Sequence, residues 1–237
     1  MNEAPGSLKL LGETPLKGVR RTIAARLGGV WRDAVHVTLQ RELDVTPCYE
    51  NKERLTGSLI DYMLYGFVQT LRETRFASFN AHFDGHTLRA YSSINIGLAT
   101  DHPKGLIVPV LHGVEAMEQR AFAAARKELV SRAREWRHSP QELEGGTVTV
   151  SNLGTLGIGF FTPILNPPQT AILGIGATRV APVIRQWGEA PQTRALVPVS
   201  LTVDHRVLDG ADAARLLQRL QEHIEALVAA EQNGTRP

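Results

Sequence analysis

Helical and strand-like runs alternate along this sequence of 237 residues, and that alternation constrains its fold more than any other feature. Apolar residues recur at helical spacing from residue 15 onward and again over residues 59–71, 118–136 and 211–230. Strand-like runs lie between these helices, at residues 35–45, 88–99, 106–110, 147–150, 170–175 and 196–203. No internal repeat or low-complexity linker divides the chain. The pattern therefore predicts one α/β domain.

Local signals set some of the expected boundaries. Thr56 is a candidate N-cap for the apolar helix at residues 59–71. Asp84 and Gly85 predict a hairpin turn that leads into residues 88–99. The turn at residues 102–105 precedes the run at 106–110, which we expect to form a short buried strand.

Composition excludes several classes of function. Apolar residues make up 43% and charged residues 21%, as in an ordinary globular protein, and the net charge of +2 favours neither a nucleic-acid nor a membrane partner. The single cysteine, Cys48, excludes an intrachain disulfide and indicates a reducing, cytoplasmic compartment. Eight histidines are present, and His82 and His86 have a helical metal-ligand spacing, but the turn at Asp84 and Gly85 breaks the helix that would place both rings on one face, so we expect no metal site.

The segment at residues 204–210 is the strongest candidate for chemistry. His205 lies between the strand-like run at 196–203 and the last helix, where an imidazole can act as a general base near neutral pH. From spacing alone, a structural histidine at a strand end is an equal alternative. Asp209 fits the N-cap of the last helix, and nothing local distinguishes Ser151 from an ordinary turn serine.

The motif His205-Arg206-Val207-Leu208-Asp209-Gly210 resembles the His-Arg-x-x-Asp-Gly signature of the acyltransferase cores of 2-oxo acid dehydrogenase complexes, the dihydrolipoamide acyltransferases. The resemblance covers about residues 15–230, because other family motifs recur in the same order. These motifs lie at residues 16–27, 36–46, 95–99, 104–110, 145–147, 151–154, 166–169 and 172–176.

The resemblance implies a chloramphenicol-acetyltransferase-like sandwich, in which a mixed β-sheet is flanked by helices, assembled as a homotrimer with active sites at subunit interfaces. In such a site His205 of one subunit is the general base and Ser151 of a neighbour stabilises the oxyanion. Asp209 supports the loop by pairing with Arg20, and Gly210 belongs to the same support. Coenzyme A or acyl-CoA and a dihydrolipoyl arm enter from opposite ends of a channel.

The resemblance also predicts the division of the chain. We expect a flexible arm at residues 1–14, the acyltransferase catalytic domain at 15–230 and a polar tail at 231–237, with neither a lipoyl nor a peripheral-subunit-binding domain. The lipoyl group would then come in trans, from a separate lipoylated protein or other 2-oxo acid dehydrogenase subunits. The polar C-terminus favours a trimer that does not build a larger hollow core.

Two alternatives remain open from the sequence. A free-standing acyl-CoA-dependent enzyme of the same fold could pass the acyl group to a hydroxyl or an amine of a small molecule. A protein with this fold could also serve as a non-catalytic oligomeric assembly core.

Overall fold

The computed structural model describes residues 9–233, which contain five α-helices and nine β-strands. The helices are α1 Gly18–Asp33, α2 Thr46–Glu50, α3 Leu59–Leu71, α4 Gln119–Arg134 and α5 Gly210–Gln232. The strands are β1 His36–Asp44, β2 Ala81–Phe83, β3 Leu88–Ala90, β4 Ile96–Ala99, β5 Val110–Leu111, β6 Val148–Asn152, β7 Ala171–Ile175, β8 Arg179–Val183 and β9 Gln192–Asp204. The helices expected around residues 15, 59–71, 118–136 and 211–230 are confirmed. Within residues 9–233 no helix is both long and apolar enough to cross a bilayer.

The main sheet is mixed, in the order β1-β9-β7-β6-β4-β5, and the mixed α/β architecture expected from the sequence is confirmed. Strands β4, β6 and β7 run parallel to one another, whereas β9 is antiparallel to β1, β7 and β8. The long strand β9 pairs with β1 along one edge and shares its other edge between β7 and β8. Strands β2 and β3 form a separate hairpin.

Helices α3 and α5 pack together on one face of the sheet, and α3 contributes some of the largest buried side chains of the core. Gly66 permits this contact, because a Cβ there would lie 3.0 Å from Cγ1 of Ile224. Tyr62 and Phe67 of α3 are fully buried, and burying one such ring stabilises the fold by about 1.5–3 kcal/mol. A second, smaller cluster joins Val30 of α1 to Ile172 of β7.

The start of α3 differs from the prediction. Its N-cap is Ser58, because Ser58 and Asp61 form a capping box in which the Ser58 N–H donates to Oδ2 of Asp61 at 2.8 Å. Thr56 instead donates its hydroxyl to Glu231 near the end of α5. Thr56 therefore ties two helices together and caps neither.

Two of the predicted strands also differ. The run at 88–99 is divided, since β3 pairs with β2 whereas β4 joins the main sheet. The run at 106–110 does lie beside β4, with Ile107 opposite Thr100 and Val110 opposite Gly97, but its regular strand is only Val110–Leu111. Pro109 interrupts the ladder because it has no N–H to donate.

The ends of the chain limit what can be said of the predicted arm and tail. Residues 1–8 of the expected arm and residues 234–237 of the expected tail lie outside the described residues. Residues 9–17 contain no helix or strand, and the first two residues of the tail, Glu231 and Gln232, belong to α5. The division at residues 15 and 230, including the absence of further domains, stays a prediction.

Candidate active site

His205 is the first residue after β9, at the mouth of the turn that leads into α5. Its backbone N–H donates to the Val35 carbonyl at 2.8 Å, which fixes the chain where the strand ends. The imidazole keeps 39% of its surface exposed, and its Nδ1 lies 3.8 Å from Oδ1 of Asp209. That distance is too long for a hydrogen bond, so the ring is open to a substrate proton.

The flanking residues Asp204 and Arg206 hold this turn in place. The Asp204 side chain is 5% exposed, and its carboxylate accepts from Nε and Nη2 of Arg206 at 2.9 and 2.5 Å. It also accepts from the backbone N–H of Arg206 at 3.1 Å and of Val35 at 3.4 Å. The Arg206 guanidinium lies 4.9 Å from the centroid of the Phe83 ring. The chain on both sides of His205 is therefore fixed by one fork-shaped ion pair.

The same ion pair keeps the Asp204 carboxyl ionised. Burial by itself raises its pKa, but the hydrogen bonds from the Arg206 side chain and backbone and the positive charge of Arg206 outweigh burial and lower the pKa below its usual value. The sequence interpretation missed this brace and assigned support to Asp209. An aspartate and an arginine on either side of the candidate histidine were the only signal that could have indicated it.

The predicted support by Asp209, Arg20 and Gly210 is not seen within one chain. Asp209 takes the N-cap position of α5, but its side chain is 81% exposed and makes no capping hydrogen bond. Arg20 forms no hydrogen bond or ion pair with any residue between 9 and 233. A Cβ on Gly210 would meet nothing within 4 Å, so packing does not require glycine there. The turn is closed instead by the Asp204 carbonyl, which accepts from the N–H groups of Val207 and Leu208 at 3.1 Å.

Ser151 is the last but one residue of β6, and the loop that follows it is fastened to the end of β7. Leu153 donates its N–H to the Ile175 carbonyl at 3.0 Å, and Ala177 donates to the Ile158 carbonyl at 2.7 Å. These backbone bonds fold the loop back beside the sheet and set the position from which the Ser151 hydroxyl projects.

Glycines make the close packing of this loop possible. A Cβ on Gly176 would lie 1.9 Å from the carbonyl oxygen of Gly159, and a Cβ on Gly154 would lie 2.5 Å from that of Gly176. Both contacts are with backbone, which cannot rotate away as a flexible side chain can. The loop after Ser151 therefore keeps its path only because these positions carry no side chain.

Ser151 lines a cleft of about 450 Å³ between α3, α4 and the ends of β4 and β6. Leu64, Leu98 and Val150 supply apolar walls, whereas Arg126 and Arg134 of α4 contribute positive charge. A cleft of this size with a few polar groups among apolar walls is typical of a small-molecule site.

His205 and Ser151 lie far apart in a single chain. Ser151 is opposite Gly174 on β7, which is opposite Ser200 on β9. His205 follows Ser200 by five residues, or about 17 Å along the strand, and β6 lies two strand spacings, or about 10 Å, from β9. The two residues are therefore separated by about 20 Å, so one chain cannot bring both to the same substrate atom.

Other nucleophile and metal chemistry finds little support in the described chain. Burial raises the pKa of the Cys48 thiol to about 12, so it stays protonated at neutral pH. Among residues 9–233, no group of three or more His, Cys, Asp or Glu side chains is placed to hold a metal ion.

Comparison with known families places this geometry in context. Residues 11–230 match the model of the 2-oxoacid dehydrogenases acyltransferase (catalytic domain) family. The chain is 33% identical over 233 residues to the dihydrolipoyllysine-residue acetyltransferase component of the acetoin cleaving system of Bacillus subtilis, covering 93% of this chain and 57% of that protein. It is 35% identical over 210 residues to the corresponding component of the Cupriavidus necator pyruvate dehydrogenase complex, covering 84% of this chain and 37% of that protein. The chain thus spans only about half, or less, of the length of these relatives.

Solved structures agree with the fold. The chain is 30% identical to Azotobacter vinelandii dihydrolipoamide acetyltransferase, with a TM-score of 0.82 and 93% of each chain covered. That structure belongs to an investigation of the roles of a serine, a histidine and an asparagine in the catalytic mechanism of the Azotobacter enzyme. It is also 30% identical to a chain of the cubic core of a pyruvate dehydrogenase multienzyme complex, with a TM-score of 0.83 and coverage of 97% and 99%. Chloramphenicol acetyltransferase, at 12% identity, a TM-score of 0.56 and coverage of 84% and 94%, shares the fold alone.

Proposed function

Because the chain belongs to the family of 2-oxoacid dehydrogenase acyltransferase catalytic domains, we propose that it transfers an acyl group between coenzyme A and a dihydrolipoyl thiol. The observation that carries the proposal is the accessible imidazole of His205 on a turn braced by Asp204 and Arg206. A base that must reach a substrate thiol has to be exposed and yet firmly oriented, and His205 meets both conditions.

The chemistry needs a base and an oxyanion donor. A thiol near neutral pH is mostly protonated and is a weak nucleophile in that form. His205 takes the proton as the sulfur attacks the thioester carbonyl, and the Ser151 hydroxyl donates to the oxyanion of the tetrahedral intermediate. As the intermediate collapses, its carbon–sulfur bond to the leaving thiol breaks and the proton on His205 passes to that sulfur. No acyl-enzyme forms.

We further propose that the working enzyme is a homotrimer and that Ser151 belongs to a different copy from His205. The separation of about 20 Å within one chain supports this arrangement, because a shared site then requires a second copy. The largely exposed end of the His205 turn at Asp209 leaves room for such a neighbour.

The same family membership supports a proposal for the carrier of the dihydrolipoyl thiol. We propose that the dihydrolipoyl group is presented by a lipoylated domain, as a separate protein or as another subunit of a 2-oxo acid dehydrogenase complex. A reducing cytoplasmic compartment fits a chain whose single cysteine, Cys48, is free and buried.

A complementation experiment tests the proposal. We expect His205→Ala to lower transfer from acetyl-CoA to dihydrolipoamide by about 10²- to 10⁴-fold, and Ser151→Ala by about 10²- to 10³-fold. When the two inactive variants are co-expressed so that copies mix, about a quarter of the interfaces in a cyclic assembly carry both intact residues, and activity should recover to about that fraction. His86→Ala, at an exposed hairpin position, is the matched control and should keep full activity.

The outcome separates the alternatives. If mixing restores nothing while both variants still co-assemble, the shared site is wrong. Transfer only to amines or alcohols, lost in His205→Ala, would indicate a small-molecule acyltransferase. The absence of transfer to any acceptor by the unaltered protein would favour a non-catalytic assembly core.

A further inference from the structure

The Arg206 guanidinium contacts an aromatic ring as well as a carboxylate. Its carbon Cζ lies 4.9 Å from the centroid of the Phe83 ring. Its nitrogens Nε and Nη2 donate to the Asp204 carboxylate, whereas Nη1 has no hydrogen-bond partner between residues 9 and 233. Asp204 therefore holds one edge of this cation, and the Phe83 ring covers its face.

An open cavity lies beside this contact. It has a volume of about 660 Å³ between α1 and the hairpin of β2 and β3, and both Phe83 and Arg206 line it. The Arg206 side chain is 33% exposed. A long arginine side chain that is held along one edge alone has room to swing into this space, and its rotamer freedom favours that motion. The Phe83 ring opposes the motion because it attracts the cation to its face.

The hairpin that carries Phe83 is fastened by backbone bonds to the strand end before the turn. The Phe83 N–H donates to the Pro168 carbonyl at 2.8 Å, and the Thr170 N–H donates to the Ala81 carbonyl at 3.2 Å. The Thr170 carbonyl in turn accepts from the Asp204 N–H at 2.9 Å. A short chain of backbone hydrogen bonds therefore fixes the ring relative to the carboxylate that shares its cation.

His82 anchors the opposite face of the same hairpin. Its Nε2 lies 2.8 Å from the Gly146 carbonyl oxygen, and its Nδ1 lies 3.0 Å from the Tyr91 hydroxyl oxygen. Because a carbonyl can only accept, Nε2 carries the hydrogen and Nδ1 accepts from the tyrosine. His82 and Phe83 are adjacent in β2, so their side chains project to opposite faces of the strand. The anchor therefore leaves the Phe83 ring available to Arg206.

We propose that Phe83 is a positioning residue for the acyl transfer proposed above, because its ring keeps Arg206 in place and so fixes the turn that carries His205. This role rests on that proposed function and adds an element outside the main sheet to the support of the base. Phe83 has no charge or titrating proton, so it acts only through Arg206. Its loss should lower kcat, since a displaced imidazole accepts the thiol proton less well, and leave KM for acetyl-CoA unchanged.

The test weakens the attraction of the ring without changing its shape. Phe83 would be replaced in the whole protein with mono-, di- and trifluorinated phenylalanine, because each ring fluorine withdraws electron density from the face that attracts the cation. The matched control places the same three residues at Phe76, whose ring lies 4.7 Å from the Arg75 guanidinium. Phe83→Tyr and Phe83→Leu complete the set, since the first keeps an aromatic face and the second removes it.

We expect kcat for transfer from acetyl-CoA to dihydrolipoamide to fall stepwise with each fluorine at Phe83, by about three- to thirtyfold in total. Phe83→Leu should show a similar loss, Phe83→Tyr should stay within about twofold of the unaltered protein, and fluorination at Phe76 should leave kcat unchanged. A kcat that does not change with fluorination at Phe83, or an equal fall at both positions, would overturn this inference and leave the proposed transfer standing. The absence of transfer by the unaltered protein would remove both proposals.

Discussion

The His205 turn and the loop after Ser151 are held in place by opposite means. Charged side chains stabilise the turn, because the buried Asp204 carboxylate accepts hydrogen bonds from the Arg206 guanidinium and from the backbone N–H of Val35. Backbone contacts fix the loop, where Gly176 lies against Gly159 with no space for a side chain.

An active site formed from these two regions would therefore depend on two different sources of stability, an ion pair at the turn and close backbone packing in the loop. A brace made of charges is sensitive to protonation and to the loss of one carboxylate. A loop packed through glycine is insensitive to protonation but does not accept added volume. Substitutions in the two regions should therefore fail in distinguishable ways.

The largest effect is expected at Gly176. In Gly176→Ala the new Cβ must displace the Gly159 backbone, so we expect the free energy of unfolding to fall by about 2–3 kcal/mol. Transfer activity should fall about a hundredfold, because the Ser151 hydroxyl moves with its loop. Urea unfolding and steady-state kinetics measure the two losses.

Gly159→Ala is the matched control for this loop, since a Cβ there would meet nothing within 4 Å. It should change stability by less than about 1 kcal/mol. Equal behaviour of the two variants would show that the contact between the two glycines does not position Ser151.

A smaller effect is expected at Asp204. Asp204→Asn keeps the shape of the side chain but removes the charge that holds Arg206, which should cost about 1.5–3 kcal/mol. In contrast, Asp212→Asn breaks an ion pair with Arg215 whose side chains are 51% and 63% exposed, and it should cost about 0.5 kcal/mol or less. If both substitutions cost the same in chemical denaturation, the brace is no stronger than a surface pair.

The smallest and most specific expected effect is the pH dependence of the stability that Asp204→Asn loses. The pKa of Asp204 is lower in the folded protein than the usual value of about 3.9 in an unfolded chain, so its stabilisation is present above pH 4 and is lost as the pH falls below it. The stability difference between the unaltered protein and Asp204→Asn should therefore narrow as the pH falls below about 4.

The loss of unfolding free energy in Gly176→Ala is the reference for this pH dependence, because no titrating group takes part in its steric contact. Its stability difference from the unaltered protein should stay constant over the same range of pH. If the stability difference between the unaltered protein and Asp204→Asn also stayed constant with pH, the charge of the Asp204 carboxylate would contribute nothing to holding Arg206.

Much of the fold could be predicted because it depends on periodicity. The long amphipathic runs became α1, α3, α4 and α5, and the ordered family motifs indicated the mixed sheet. The errors occurred where neighbouring signals compete. Ser58 displaced Thr56 as N-cap because only Ser58 has a carboxylate, Asp61, three residues later. Strand β8 was missed because Arg179–Val183 is an exposed edge containing Pro182, without the apolar pattern of a buried strand.

The site was less accessible from sequence. His205 was identified at the end of its strand, but the brace by Asp204 depends on β1 lying beside β9, which places the Val35 N–H against the carboxylate. The separation of His205 from Ser151 depends on strand order and register, and neither is written in the local spacing of residues.

The wide separation of His205 and Ser151 has a genetic consequence under the proposed assembly. Each copy would contribute to two active sites, with His205 in one site and Ser151 in the next. A defective allele that damages only one of these residues would silence one site for each copy incorporated, while the copy's other contribution stays useful. An allele that damages both would silence both sites it enters, so it would act as a dominant inhibitor when expressed beside the normal gene.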